Sequence, residues 1–368
     1  MSVEAFKRRL DIVKERLGKA GIGCFLVGPS STLKYLSGYS GKADERLLAL
    51  VITPDKDSFF IANKLYEPQI NDTGFTDSVF WRDGENAVGI LVNTLKERGI
   101  STENIAVDKS MPGMFIIPLC DNFPSSKVIL GNSFVDDLRV YKDEEEMSYM
   151  MTACSKASEA LKATIERGSY WLGRTESEFM GQLSLEMTNR GLALPNMIVA
   201  VGANAAAPHH ITGQTVIEKG KCLLVDFGGK FKNYSTDMTR TFHFGEPSDE
   251  FKKVYDIVLE ANRRGKEAAK AGNLLQDVDR AARGYITEMG YGEYFTHRTG
   301  HGIGIDGHEG PSAEEGETTP IAPGMAFSVE PGIYLPGKFG VRIEDQVLMT
   351  NEGARILHDV SRELMIIK

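Results

Sequence analysis

The sequence predicts two domains, an α/β layer followed by a domain in which helices give way to glycine-rich strands. Three observations carry that expectation. The 368 residues exceed one domain at about 150 residues each and fit two. Helical and strand-like stretches alternate as far as Val107, the pattern of packed α/β layers. Around Asp136 to Glu146 the chain turns polar and opens a long helical pattern, so the domains are set at residues 1–138 and 139–368.

The elements follow in order. Residues 1–9 lead into an amphipathic helix in which Leu10, Ile12, Val13, Leu17 and Ala20 recur at helical spacing and stop at Gly21. Cys24 to Val27 reads as a short apolar strand, 47–52 and 58–61 as two more about Pro54-Asp55, 88–95 as a helix closed by Gly99, and 105–107 as another strand. In the second domain the acidic run Asp143 to Glu146 starts a helix through Met150, Met151, Ala157 and Leu161, a placement the helix macrodipole favours. Helices continue to about Arg190. From Ile198 strands and glycines dominate, interrupted by helical stretches at 250–271 and 278–289.

Composition excludes several classes. With 42% hydrophobic and 25% charged residues the chain can bury substantial cores. Its 42 Lys+Arg against 51 Asp+Glu, a net charge of −9, argue against a nucleic-acid partner or an anionic membrane surface. No signal-peptide core opens the sequence and no run approaches ~18 apolar residues, so a cytoplasmic chain without a membrane span is expected. Cys24, Cys120, Cys154 and Cys222 are far apart, which suggests neither a zinc knuckle nor a disulfide scaffold and fits a reducing compartment. All seven histidines, His209, His210, His243, His297, His301, His308 and His358, fall after residue 208, so imidazole chemistry is expected in the second domain.

Two hairpins there each carry two carboxylates. The apolar run Cys222 to Gly228 and the alternating run Thr236 to Phe242 flank the turn residues Gly229 to Asn233. Asp226 and Asp237 then lie opposite each other on one face, with the turn centred between Phe231 and Lys232. Glu330 and Glu344 repeat the geometry about Gly337, on runs 326–330 and 341–345. Like charges opposed at ~5 Å are destabilising unless something positive sits between them, and converging carboxylates are what hard or borderline divalent cations take. Between the hairpins, glycines around His301 let the backbone pass close to a ligand site, and its imidazole would be the fifth ligand of a two-metal centre. Gly302, Gly304 and Gly307 also spell GxGxxG, but no apolar strand precedes it and Pro311 follows, so nucleotide binding is not expected.

The order Asp226, Asp237, His301, Glu330, Glu344, within VDFG, STDMTRTF, GHGIG, SVEPGIY and VRIED, resembles the pita-bread metallopeptidases: methionine aminopeptidase, aminopeptidase P and prolidase. The resemblance covers about residues 143–368 and matches all five metal positions. The preceding α/β domain, with Ser37-Gly38-Tyr39, resembles the N-terminal domain of creatinase, prolidase and aminopeptidase P, which methionine aminopeptidases lack, and steers the reading to the Xaa-Pro branch. The fold implied is an α/β domain of creatinase/prolidase N-terminal type followed by an α+β pita-bread catalytic domain.

Carried over residue by residue, the resemblance implies that Asp226 ligates one metal, that Asp237 and Glu344 bridge two, and that His301 and Glu330 ligate the other. Two divalent ions, Mn, Co or Zn, are thus expected, with a water or hydroxide between them as nucleophile. Glu330 resembles the proton shuttle, His209 and His308 match the histidines that line the substrate site, and Arg342 is placed to orient ligands or substrate. Tyr234 either lines the pocket or packs on the sheet. The implied partners are a proline-containing peptide and a second copy in a homodimer. The implied activity is prolidase, an Xaa-Pro dipeptidase, with aminopeptidase P as the alternative; a metal-free creatinase type and a non-catalytic peptide-binding platform are disfavoured by the complete ligand set. One departure bears on this choice. Short prolidases often carry an arginine just after the HExP string, whereas here Ser312 follows Pro311.

Overall fold

Residues four apart make the first helix: Ala5, Arg9, Val13 and Leu17 form the buried face of Val3–Lys19, and Gly21 at φ 65° turns the chain out of it. The computed structural model describes residues 3–41 and 43–368; Met1, Ser2 and Lys42, which belong to the first predicted domain, lie outside the described residues. The chain divides into two units, Met1–Arg139 and Val140–Lys368.

The first unit is built on a mixed six-stranded sheet. Its strands are β1 (Cys24–Val27), β2 (Ala49–Ile52), β3 (Phe59–Asn63), β4 (Val79–Trp81), β5 (Asn104–Val107) and β6 (Lys127–Leu130), in the order β4-β3-β2-β1-β5-β6. β1 pairs antiparallel with β2 and parallel with β5. β1 to β3 are buried on both faces, which is why they read as continuous apolar runs without alternation. Helix Ala87–Glu97 packs Leu91, Val92 and Leu95 against Leu26, Val51 and Ile105. The helices Ser31–Ser37 and Gly113–Asn122, the latter with Pro118 inside, gave no periodic signal strong enough to read.

In the second unit, Asp143 caps helix Glu144–Ile165 in a capping box with Glu146, so the acidic run serves the helix start. This helix and Glu176–Asn189 press Ala157, Leu161, Phe179 and Leu183 onto Val199, Leu223, Val225 and Phe227. Those last residues belong to β7 (Ala193–Val201) and β8 (Cys222–Phe231), which with β9 (Tyr234–Phe244) and a short C-terminal strand form one sheet. A second sheet holds β10 (Gly300–Gly302), β11 (Glu309–Ala313), β12 (Ala326–Val329) and, beyond the two-stranded ribbon β13 (Gly332–Leu335) and β14 (Phe339–Arg342), β15 (Asp345–Thr350) and β16 (Gly353–Ile356). Helices Asp249–Ala268 and Leu275–Glu288 cover it, burying Val254, Val258 and Ala261 near Leu224, Val341 and Ile343, and Val278 near Phe327, Val329 and Val347. Gly265 lies so close to this layer that a Cβ there would stand 2.9 Å from Val329. No described helix is long and apolar enough to cross a membrane.

Candidate metal centre

The β8–β9 hairpin turns tightly. Phe231 pairs with Tyr234, leaving only Lys232 (φ 50°) and Asn233 (φ 74°) as the loop, both in the left-handed region that fits strand twist. The register therefore differs from the expected one: Asp226 faces Thr239 and Asp237 faces Gly228, so the aspartates are diagonal and not opposed. The wider turn expected at Gly229 to Asn233 was wrong because Lys232 carries no turn signal. The displacement is an even number of residues, which keeps both carboxylates on one face. A Cβ on Gly228 would fall 2.4 Å from the Thr236 carbonyl, so glycine is required opposite Asp237.

The second pair sits at a break in a ladder. Val329 faces Asp345 across β12–β15 and Gly332 faces Arg342 across β13–β14, one continuous register centred on Gly337. Between these ladders Glu330-Pro331 and Ile343-Glu344 keep a single long link, Ile343 N to Pro331 O at 3.4 Å, and Pro331 has no N–H to offer. Other groups take up the backbone there. Asn262 Nδ2 donates to the Val329 and Ile343 carbonyls at 2.9 and 3.1 Å, Glu330 N donates to Thr299 O at 2.7 Å, and Glu344 N to Thr239 O at 3.1 Å. The break turns both glutamates into the cleft.

His301 enters between them on β10. The flanking glycines are obligatory by contact: a Cβ would stand 1.9 Å from Ser328 O at Gly300 and 2.7 Å from Glu309 O at Gly302. The His301 Nδ1–H donates to Gly302 O at 3.1 Å, which directs Nε2 to Glu330 Oε1 at 3.3 Å and Asp237 Oδ2 at 3.9 Å. Ligand atoms of Asp226, Asp237 and Glu344, of His301, Glu330 and Glu344, and of Asp237, His301 and His308 form triads within 4.8 Å. All five sequence-selected ligand positions are thus brought together.

Their electrostatics call for a cation. Burial, then the charge of Asp226, pushes the Asp237 carboxyl well above the usual range, and burial, then Asp237, does the same to Glu344. Burial opposes ionisation of Glu330 too, but the His301 ring outweighs it and holds that carboxyl down at about 2. Glu344 Oε2 accepts from Thr239 Oγ1 at 2.7 Å, while buried Oε1 has no hydrogen-bond partner among the described residues. An orphaned carboxylate oxygen amid three further carboxylates is costly without compensation. A hard or borderline divalent ion supplies it, so the donor set fits the metal that the sequence implied.

The cleft above this cluster, about 1060 Å³, is lined by Asp237, His301 and Glu330 at its floor and by His209, Arg298 and His308 higher up. His209 is exposed on the loop after the short helix Gly202–Ala206, and the His308 ring lies 3.8 Å from that of His301. Burial, then His301, lowers the pKa of His308. Arg342 is committed below them: Nη2 to Asp226 Oδ2 at 2.5 Å, Nε to Thr239 Oγ1 at 3.1 Å, Nη1 to Tyr334 OH at 2.8 Å. Tyr334 OH in turn donates to His297 Nε2 at 2.7 Å, since His297 Nδ1 serves Arg298 O. Sequence reasoning missed Tyr334, Asn262 and Glu309. The last is next to His308 and forms a buried pair with Lys142 at 2.9 Å. His210 turns to Glu176, and His243 and His358 are buried structural residues. Tyr234 is buried with its hydroxyl on Glu146, and the GxGxxG string is followed by β11 and no helix.

Comparison with known proteins agrees with this geometry. The family model described as metallopeptidase family M24 matches residues 148–351, and that of the creatinase/prolidase N-terminal domain matches residues 9–141. The chain is 30% identical over 365 residues to an Xaa-Pro dipeptidase of Pyrococcus horikoshii, covering 99% of this chain and 100% of that one. The crystal structure of a recombinant prolidase from Thermococcus sibiricus superposes with a TM-score of 0.93 at 36% identity, covering 98% of this chain and 99% of that one. That of an X-Pro aminopeptidase from Thermotoga maritima gives 0.81 at 32%, covering 96% and 100%.

Proposed function

Because the chain belongs to metallopeptidase family M24, we propose that it is a metal-dependent Xaa-Pro dipeptidase, a prolidase. The observation that carries this reading is the convergence of Asp226, Asp237, His301, Glu330 and Glu344 on one cleft floor, with a buried Glu344 oxygen that has no hydrogen-bond partner among the described residues. The Xaa-Pro dipeptidase and prolidase among its relatives, aligned over nearly the whole chain, support the substrate class.

Asp226, Asp237, His301, Glu330 and Glu344 would hold two divalent ions, of Mn, Co or Zn. Such ions supply Lewis-acid polarisation of the scissile carbonyl and a lowered pKa for the attacking water. Glu330 accepts that water's proton and delivers it to the leaving proline nitrogen; its Oε1 is steadied by Ser328 Oγ at 3.1 Å. His308 and His209, on the cleft wall, donate hydrogen bonds to the oxygen on which charge develops. Arg342 keeps Asp226 turned toward the floor, itself fixed by Tyr334. The protein works as a cytoplasmic homodimer.

The test uses the chain loaded with each ion in turn, a dipeptide Ala-Pro, and Ala-Pro extended by one residue. Hydrolysis of Ala-Pro with about two ions bound per chain is expected. No hydrolysis of either peptide with any ion overturns the reading. Ser312, standing where short prolidases often have arginine, favours an aminopeptidase P-like activity as the second reading, which predicts the longer peptide to be the faster one.

A further inference from the structure

A dipeptide differs from a longer peptide by a free carboxylate next to the scissile bond, and a dipeptidase needs a cation to receive it. Among the described residues three cationic side chains line the cleft, Lys230, Arg298 and Arg342. Arg342 is taken up by Asp226, Thr239 and Tyr334. The Lys230 ammonium donates to the carbonyl of Ile305. Arg298 differs from both. Its guanidinium donates through Nη2 to His308 Nδ1 at 3.4 Å, and among the described residues it has no carboxylate in ion-pair contact.

The base of this arm is fixed while its tip is half-exposed in the cleft. The Arg298 carbonyl accepts from His297 Nδ1 at 2.7 Å, and Thr299 is tied to Asp279 through its N–H at 3.1 Å and its hydroxyl at 2.7 Å. The arm's reach suits the substrate. In Xaa-Pro the carboxylate carbon is three bonds from the scissile carbonyl carbon, roughly 3–4 Å. Arg298 touches His308, whose ring is 3.8 Å from that of His301, so the guanidinium stands one imidazole beyond the metal-ligand layer.

We propose that Arg298 is a specificity-determining residue that pairs its planar fork with the free C-terminal carboxylate of an Xaa-Pro dipeptide. It supplies, from three residues before His301, the cation that Ser312 does not. The proposal rests on the Xaa-Pro hydrolase reading and decides between its two forms in favour of the dipeptidase.

The experiment measures kcat/KM on Ala-Pro and on Ala-Pro amide, which differ only in the terminal charge, with the metal-loaded wild type, Arg298→Gln and Arg298→Lys, and records bound metal for each. The wild type should prefer the free acid by roughly 10- to 100-fold, the range of a charge-assisted hydrogen bond. Arg298→Gln should collapse that ratio toward one, chiefly through KM on the free acid, with bound metal unchanged, and Arg298→Lys should restore part of it. An undiminished ratio in Arg298→Gln, or an equal loss on both substrates, overturns the proposal. A wild type that hydrolyses neither substrate instead sinks the underlying reading, so the two failures are distinguishable.

Discussion

Glu344, the last residue of the break, and Asp345, the first of β15, are neighbours, both buried carboxylates, at 1% and 0% exposure, and their surroundings are opposite. Successive strand side chains point to opposite faces. Asp345 points toward helix Asp249–Ala268 and meets three cations, Arg240 at 2.8 Å, Lys266 at 2.6 Å and Arg362 at 2.6 Å. Burial opposes its charge, but Arg240 and Lys266 outweigh burial and hold its carboxyl well below the usual range. Glu344 points into the cleft and meets Thr239, three carboxylates and the ring of His301, and its Oε1 has no hydrogen-bond partner among the described residues. A buried charge that serves the fold is satisfied by the chain; one that serves a ligand is left open until the ligand arrives.

The largest effects come from breaking each side in turn. Glu344→Gln should lower activity by more than about 100-fold, beyond the loss typical of an outer-sphere partner, yet leave the chelator-treated protein at least as stable as wild type. Asp345→Asn should do the reverse to stability, costing about 3–5 kcal/mol because three cations lose their counter-charge. Thermal midpoints in chelator beside activity in metal check both. If Glu344→Gln destabilises the metal-free protein as much as Asp345→Asn does, the contrast is wrong.

The legible parts of the molecule were those that local chemistry dictates. Cys24–Val27 is apolar throughout and is a buried strand; Asp143 and Glu146 spell a capping box and make one. The four cleft carboxylates stood out because paired carboxylates on apolar strands have no ordinary reason to be there, and His301 stood out by the glycines around it. The aspartate register was misread because a Lys232-Asn233 turn is specified by strand twist, which a residue count does not contain. Asn262 was invisible for a different reason: it lies 67 and 81 residues from the carbonyls it serves, and nothing in its helix marks it. Its replacement is the intermediate test. Asn262→Ala orphans two buried carbonyls at the break that aims Glu330 and Glu344, so a loss of about 2 kcal/mol is expected, together with weaker metal binding measured by titration. Unchanged metal affinity in a destabilised variant would separate the fold of the break from its aim.

The smallest effect is a slope. Asp237 and Glu344 have carboxyls raised by burial and mutual repulsion, so in chelator the folded chain keeps protons that the unfolded chain releases above the ordinary carboxylate range. The folded state then binds more protons, and its stability falls as pH rises toward the raised values. Removing one such group relieves the others, so the stability of Glu344→Gln relative to wild type should grow as the pH rises above the ordinary carboxylate range. Taking the difference cancels groups common to both proteins, such as His358, which burial pushes down to about 3. Asp345→Asn behaves otherwise: a lowered carboxyl contributes stability above its ordinary pKa and loses it only in acid, so its deficit should stay level through the same window. Metal should flatten the Glu344→Gln slope from the wild-type side, because the ion takes the place of the retained protons. A level difference profile for Glu344→Gln in chelator would mean that the cleft carboxylates are already compensated by the chain, and the two faces of the strand would not differ in kind.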